Sequence, residues 1–300
     1  MIEDLLPRCW FPPPGTDVTC AVSGGPDSLA LLVLATAADC RVTAVHVDHG
    51  IRPNGETEAA LVSAAAQRFG ARFRSEQVRV PPGPNLEARL RSARYAVLPS
   101  DVLTGHTADD QAETVLLNLL RGSGRSGLAA MRPEGHPLLS LRRSETHALC
   151  DSLGLELVID PSNDDPRIRR NRVRHELLPL ADDIAQRDVG ALLARTASLL
   201  HDDETFLEHL SLDIDPTDAR ALSSTARPLA VRALRRWLAP HLGGYAPDHD
   251  AIERVLDVAR GSSTSCDVRN GVRVHRRLQR LSIVRLGSAE QGDPTPHPTR

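Results

Sequence analysis

Short β-branched runs alternate with helical patterns from Val18 to Leu120, and that alternation constrains the fold more than any other feature of the sequence. Val18 to Val22 predicts a strand and Ser28 to Ala37 a helix. Val42 to Val47 predicts a buried strand. Glu56 to Phe69 predicts a helix with Ala60, Ala64 and Phe69 near one face, and Arg72 to Val80 an alternating strand. Asn85 to Leu98 and Ala108 to Leu120 predict two further helices, separated by Val102-Leu103-Thr104-Gly105. Strands joined through helices pair in parallel, with helices over both faces. The expected fold class is α/β: a parallel, doubly wound sheet that binds ligands beyond the carboxyl ends of its strands.

The pattern changes after Pro179. Ala191 to Leu210 predicts a long helix, followed by the polar break Ile214-Asp215-Pro216-Thr217-Asp218. Helices are expected around Ala230 to Leu238 and Ala251 to Ala259. Asp267 to Leu286 predicts a hairpin turning at Asn270-Gly271, because that dipeptide suits a turn with two positive φ angles. The polar, proline-rich stretch from Ser288 predicts disorder. The expected organisation is a catalytic domain over 1–212, a smaller, mainly helical C-terminal domain over 213–287 that ends in the hairpin, and a tail over 288–300.

Composition removes several classes. The longest nearly apolar run, Leu29 to Ala38, is about half of a membrane span. Met1-Ile2-Glu3-Asp4 carries acid where a secretion signal needs positive charge, so a cytoplasmic location is expected. The five cysteines (Cys9, Cys20, Cys40, Cys150, Cys266) form no C-x-x-C pair, which argues against a zinc site, an iron–sulfur site or a redox dithiol. Net charge is −3, and all 36 basic residues are arginine. Every basic contact is therefore a permanently charged planar fork suited to phosphate and carboxylate.

Ser23-Gly24-Gly25-Pro26-Asp27-Ser28 lies between the first strand and the first helix. Its glycines let backbone N–H groups approach an anion with no Cβ in the way. The Ser23 and Ser28 hydroxyls add donors, and the helix start adds partial positive charge. No G-K-[ST] follows, which excludes a Walker loop, and no G-x-G-x-x-G is present. The hexapeptide resembles the S-G-G-x-D-S PP-loop of the N-type ATP pyrophosphatases, enzymes that split ATP into AMP and pyrophosphate to adenylate a substrate oxygen.

Four further stretches narrow the resemblance. They are His46-Val47-Asp48-His49-Gly50-Ile51-Arg52; Asn85-Leu86-Glu87-Ala88-Arg89 with Arg94-Tyr95; Gly105-His106-Thr107-Ala108-Asp109-Asp110-Gln111-Ala112-Glu113-Thr114, with the glycine-rich residues to Met131; and Asp160-Pro161-Ser162-Asn163-Asp164 with Arg170 to Pro179. Together with the loop, in order and spacing over about residues 18 to 180, they resemble the tRNA(Ile)-lysidine synthetase family in its short form. His136 and Ile168 depart from the family pattern, which usually has arginine and an aromatic at those places.

The resemblance implies an adenine nucleotide alpha hydrolase-like domain. It implies ATP and Mg²⁺, free L-lysine, and an isoleucine tRNA with a CAU anticodon as substrates and partners. It leaves the oligomeric state open, a homodimer being one option. The implied ATP-binding residues are Ser23, Gly24, Gly25, Pro26, Asp27, Ser28, Asp48 and His49, with Asp27 also the metal ligand. Asp27, Asp110 and Glu113 are the implied catalytic residues. Asp110 and Glu113 share a helix face and would bind lysine. Helix-start acids that favour the dipole are the alternative reading of Asp27, Asp109 and Asp110. His106 is equally readable as a strand-end histidine, and Asp48 as a turn aspartate.

Arg167 to Arg174 holds five arginines in eight residues, and Asp267 to Arg285 holds six. Runs of one sign favour phosphate partners over a merely solvated face. From the first run, Arg169, Arg170, Asn171, Arg172 and Arg174 are expected to bind tRNA. With aromatics at 3%, recognition leans on backbone charge and shape rather than base stacking. The rival reading within enzymes is a tRNA thiolase on the same loop; a nucleotide-dependent RNA-binding module without catalysis is the rival from another class.

Overall fold

The computed structural model describes residues 1–48, 50, 55–80, 83, 86–158 and 165–285, with the backbone alone at 86–88. His49, Ile51, Arg52, Asn85, Asp160 to Asp164, Leu286 and the tail from Ser288 lie outside the described residues.

Four parallel strands form the main sheet: β1 (Asp17–Ala21), β2 (Arg41–Asp48), β3 (Arg72–Gln77) and β4 (Leu103–Thr104), in the order β3-β2-β1-β4. The register runs Asp17 opposite Arg41 to Ala21 opposite Val45, and Cys20 and Ala21 opposite Leu103 and Thr104. Besides two single-turn helices, Ile2–Leu5 and Arg125–Leu128, the helices of this part are α1 (Pro26–Ala37), α2 (Gly55–Arg68), α3 (Leu86–Val97), α4 (Ala108–Leu120), α5 (Arg143–Ser152) and α6 (Arg169–Arg172). A π-helical turn over Val173–Leu177 carries α6 into α7 (Leu178–Ala185).

The parallel, helix-covered sheet expected from the alternation is present. Helix α1 is buried on nearly all sides, from Ser28 to Ala35, so its residues are apolar without amphipathic periodicity. It packs with Cys20, Val42, Ala44, Val62, Leu138, Leu141 and Leu149 in one continuous core. The strand order reverses direction at β1, where β2 and β3 lie on one side and β4 on the other. Such a switch point opens a crevice outside the carboxyl ends of the two strands, here β1 and β4.

By internal contacts the chain divides into two units, Met1–His201 and Asp202–Arg300. The cut falls within α8 (Val189–Ser211). In the second unit, α9 (Ala219–Ser224), α10 (Arg227–Leu238) and α11 (His249–Arg260) bury Leu222, Leu234, Leu238, Ile252, Val255 and Leu256 against Val272, Val274 and Leu281 of a small sheet. Asp218 and Asp248 cap α9 and α11 by accepting from free N–H groups of the first turn.

That sheet has three antiparallel strands, β5 (Ser265–Arg269), β6 (Val272–Arg277) and β7 (Arg280–Arg285), rather than the two of the expected hairpin. The first turn is where Asn270-Gly271 predicts it, with φ of 53° and 72°. The second turns at Leu278 and Gln279, with φ of 49° and 64°. A leucine is a rare choice for that left-handed region, so no turn signal marks the position. Leu278 is 89% exposed and packs on little. Replacing Leu278-Gln279 with Asn-Gly should therefore stabilise the second unit by about 1–2 kcal/mol through relieved backbone strain. The check is the urea midpoint of that unit, which should rise with an unchanged m value.

Candidate active site

The phosphate loop leaves β1 at Val22 and enters α1 at Pro26. Gly24 adopts φ +83°, and a Cβ there would stand 2.6 Å from a Val158 methyl carbon, so both conformation and space require glycine. The Gly24 carbonyl accepts from Val158 N–H at 2.9 Å. The Ser28 hydroxyl closes the loop: it accepts from Ser23 N–H at 3.1 Å and donates to the Gly25 carbonyl at 2.8 Å, with Ser23 Oγ 3.2 Å away. Ser28 thus shapes the loop from within. The amides of Gly24 and Gly25 make no hydrogen bond among the described residues, the arrangement of an anion cradle.

Gly105, after β4, backs directly onto this loop. A Cβ at Gly105 would lie 2.4 Å from the Asp27 carbonyl oxygen and 2.9 Å from Ser28 N. This approach brings the segment starting α4 against the start of α1. Thr107 caps α4: its N–H and hydroxyl donate to Asp110 Oδ2 at 2.9 and 3.0 Å. Gln111, one turn in, holds the glycine-rich segment through Met131 N–H and the Met131 carbonyl at 3.0 and 3.1 Å.

Asp110 is 7% exposed and Glu113 is fully buried. Three arginines surround them. Arg143 Nη2 and Arg170 Nη2 each donate to Asp110 Oδ1 at 3.0 Å. Arg170 Nε reaches Glu113 Oε2 at 2.5 Å, and Arg174 Nε reaches Glu113 Oε1 at 2.6 Å. Arg143 also stands 3.5 Å from Glu113 Oε1 and 3.5 Å from Asp27 Oδ2. Asp27 accepts a hydrogen bond from the Thr146 hydroxyl. Three carboxylates (Asp27, Asp110, Glu113) and three guanidinium groups (Arg143, Arg170, Arg174) therefore make one charge-balanced cluster beside the loop. Asp109 lies at its edge, accepting from Arg143 N–H at 2.7 Å and pairing with Arg142 at 2.9 Å.

Two of the acids beside Arg143, Asp110 and Asp27, are shifted in opposite directions. Burial works against the Asp110 charge, but Arg143 and Arg170, with His106 and the Thr107 N–H, outweigh it and hold the carboxyl down to about 2. At Asp27 burial wins, aided by the Asp110 charge and opposed by the Thr146 hydroxyl and Arg143, so its pKa is raised.

The expected RNA-binding run splits. Arg170 and Arg174, four residues apart on one helical face, turn inward onto the carboxylates. Asn171 is buried, donating to the Asp165 carbonyl at 2.9 Å. Arg172 pairs outward with Glu176 at 2.7 Å. Arg169 is exposed and makes no ion pair among the described residues. Asp48 is the last residue of β2 and accepts from Gly50 N–H at 2.8 Å, beside the start of α2.

Residues 6–181 match the PP-loop domain model. The chain is 43% identical to the tRNA(Ile)-lysidine synthase of Nocardia farcinica over 81% of its length and 83% of that protein. It is 39% identical to the enzyme of the same name from Gloeobacter violaceus, over 84% of its length and 85% of that protein. The chain belongs to the tRNA(Ile)-lysidine synthase family. Among solved structures, the U34-tRNA thiolase NcsA from Methanococcus maripaludis has the same fold, with a TM-score of 0.55, 15% identity, and 67% of this chain and 78% of that one covered.

Two members of this cluster, Arg143 and Thr146, stand outside the motifs that carry the resemblance to the lysidine synthase family. They share one face of α5, three residues apart, and α5 lies against α1. A signal for them does exist in the sequence. Arg142 and Arg143 stand at a helix start, where positive charge opposes the dipole, so their presence there implies carboxylates supplied from elsewhere. The acid balance is testable. A carboxylate with a depressed folded pKa contributes its full stability above its unfolded value of 3.8 and loses it as pH falls toward 2. Asp110→Asn should thus be less stable than the parent at pH 7, and the gap should narrow steadily between pH 5 and pH 2 in urea titrations. A gap independent of pH would contradict this charge balance.

Proposed function

We propose that the chain is a cytoplasmic tRNA(Ile)-lysidine synthase. It uses ATP to adenylate the C2 oxygen of the wobble cytidine in the CAU anticodon, then joins lysine to C2. The observation that carries this reading is the continuity of the site: Gly105 backs the phosphate loop onto the acidic cluster, and Arg143 spans Asp27, Asp110 and Glu113. Nucleotide chemistry and amine chemistry then share one crevice.

The reaction needs that continuity. The C2 oxygen is a poor leaving group by itself. When it attacks the α-phosphorus of ATP, pyrophosphate leaves and the oxygen becomes part of a bound AMP ester. The lysine amine then attacks C2, the C–O bond breaks, and AMP departs with the oxygen. Ser23, Gly24, Gly25, Pro26 and Ser28 hold the phosphates, with Asp48 toward the nucleoside; His49 keeps its assignment to ATP from the sequence alone. Asp27 fits Mg²⁺: its Oδ2 has no hydrogen bond among the described residues, and Mg²⁺ takes one or two carboxylates together with phosphate oxygens. Such an ion would supply positive charge to the departing pyrophosphate.

Asp110 and Glu113 provide the negative field for a lysine ammonium. With its carboxyl at about 2, Asp110 acts as a charge partner rather than a proton acceptor. Arg143 and Arg170 now occupy the cationic places around it and can turn toward phosphate or the lysine carboxylate as the ammonium enters. Arg169 and Arg172, on the outer face, meet tRNA phosphate. The thiolase alternative needs a reactive thiolate, whereas burial pushes the Cys9 and Cys150 thiols up to about 12.

The deciding experiment mixes ATP, labelled lysine and anticodon variants of the tRNA. Lysine should appear on RNA with the CAU anticodon and not with others, with AMP and pyrophosphate released in equal amounts; absence of label on RNA rejects the reading. For the RNA face, Arg169→Ala combined with Arg172→Ala should reduce the slope of log affinity against log salt. Each lost phosphate contact is worth about 0.9 on duplex or about 0.7 on single strands. An unchanged slope assigns these arginines to solvent.

A further inference from the structure

Thr104, the last residue of β4, presents one hydroxyl to two imidazoles. Its Oγ1 is 2.7 Å from His106 Nδ1 and 2.5 Å from His136 Nδ1. The rings meet edge to face, with centroids 4.8 Å apart and planes at 86°. The segment bearing His136 is pinned in place: Thr104 N–H donates to the Gly135 carbonyl at 3.0 Å, and Leu138 is fully buried.

A hydroxyl carries one proton and two lone pairs. The other acceptor within reach, the Gly135 carbonyl, is 3.4 Å from Oγ1, beyond the roughly 2.5–3.0 Å of a strong O–H···O bond, whereas the two ring nitrogens stand at 2.7 and 2.5 Å. The hydroxyl proton therefore goes to a ring nitrogen. That ring has a bare Nδ1 and carries its proton on Nε2. The second ring must donate Nδ1–H to the same oxygen, which leaves its Nε2 bare. Both rings are neutral. Burial, the largest influence, pushes both below the usual histidine range; Asp110 opposes this at each, while Arg91 reinforces it at each and Arg170 at His106.

We infer that Thr104 and His136 are positioning residues: through the shared hydroxyl they hold His106 and His136 in opposite neutral tautomers. They thereby decide whether His106 meets a ligand at the Asp110 end of the site as a donor or as an acceptor. The identity of that ligand rests on the lysine-transfer reading above; the tautomers are a property of the chain by itself.

The test is histidine-ring ¹⁵N spectroscopy on the full chain, with the two rings identified by signals lost in His106→Gln and His136→Gln. One ring should carry its proton on Nδ1 and the other on Nε2 at pH 7. Thr104→Val keeps the shape without the hydroxyl and should abolish that opposition. His136→Arg is sharper. A guanidinium only donates, so the Thr104 oxygen accepts from it and passes its own proton to His106 Nδ1, and His106 should become wholly Nε2–H. Two rings in the same tautomer in the parent, or an unchanged pair in Thr104→Val, overturns the inference. In single turnover with CAU tRNA, Thr104→Val should slow lysine transfer about tenfold more than AMP attachment, less than the roughly hundredfold or more expected when a proton-transferring group itself is lost. Equal slowing of both steps overturns the positioning role. A parent chain that transfers no lysine at all rejects the proposed function instead, and leaves the spectroscopic result standing.

Discussion

Two buried carboxylates and a half-buried third, matched by three guanidinium groups, form the interaction on which the rest of the catalytic unit depends. A lone charge at such depth costs several kcal/mol, and removing one partner from a buried pair costs about 3–5 kcal/mol. The acids come from α1 and α4; the arginines come from α5, α6 and the π-helical turn that follows α6. None of these segments can leave without stranding a charge on another. The cluster therefore ties together the start of α1, the capped start of α4 and the arginine-bearing helix, all beside the crevice between β1 and β4. Its net contribution to stability is small, because well-packed apolar residues could fill the same space at comparable or lower free energy.

The absence of lysine from the chain has a structural counterpart here. Arg143 contacts three carboxylates through one planar group, and Arg170 bridges two. A lysine ammonium is a compact point charge and spans such distances poorly. A balanced cluster of this kind is also suited to exchange. A ligand bringing an ammonium, a carboxylate or phosphate finds an opposite partner for each, and the displaced side chain finds another. The chemistry proposed for this family member requires all three kinds of ligand group within one crevice.

Backbone approach sets the distances. Gly105 permits the β4 segment to touch the Asp27 carbonyl, and Gly24 permits the loop to touch Val158. With a Cβ at Gly105 the acidic cluster and the phosphate loop would move apart by about the width of a methyl group, enough to separate two half-sites whose chemistry depends on near contact. Thr104 stands one residue before Gly105, so the histidine pair is held by the same strand end.

Much of this was legible in the chain. The strand–helix alternation, the hexapeptide and the motif spacing pointed to a parallel sheet with a phosphate loop after its first strand, because periodicity and glycine placement act locally. Asp110 and Glu113 were legible as a pair from helical spacing. Three matters were decided only by tertiary structure. The arginine run was divided between inward Arg170 and Arg174 and outward Arg169 and Arg172 by which face of the helix meets Glu113. Arg143 and Thr146 joined the site because α5 packs on α1. The second turn of the small sheet formed at Leu278-Gln279 because pairing of β6 with β7 outweighs a backbone preference that runs the other way. Local pattern determines which elements form; the long-range burial of charge determines which of their side chains meet.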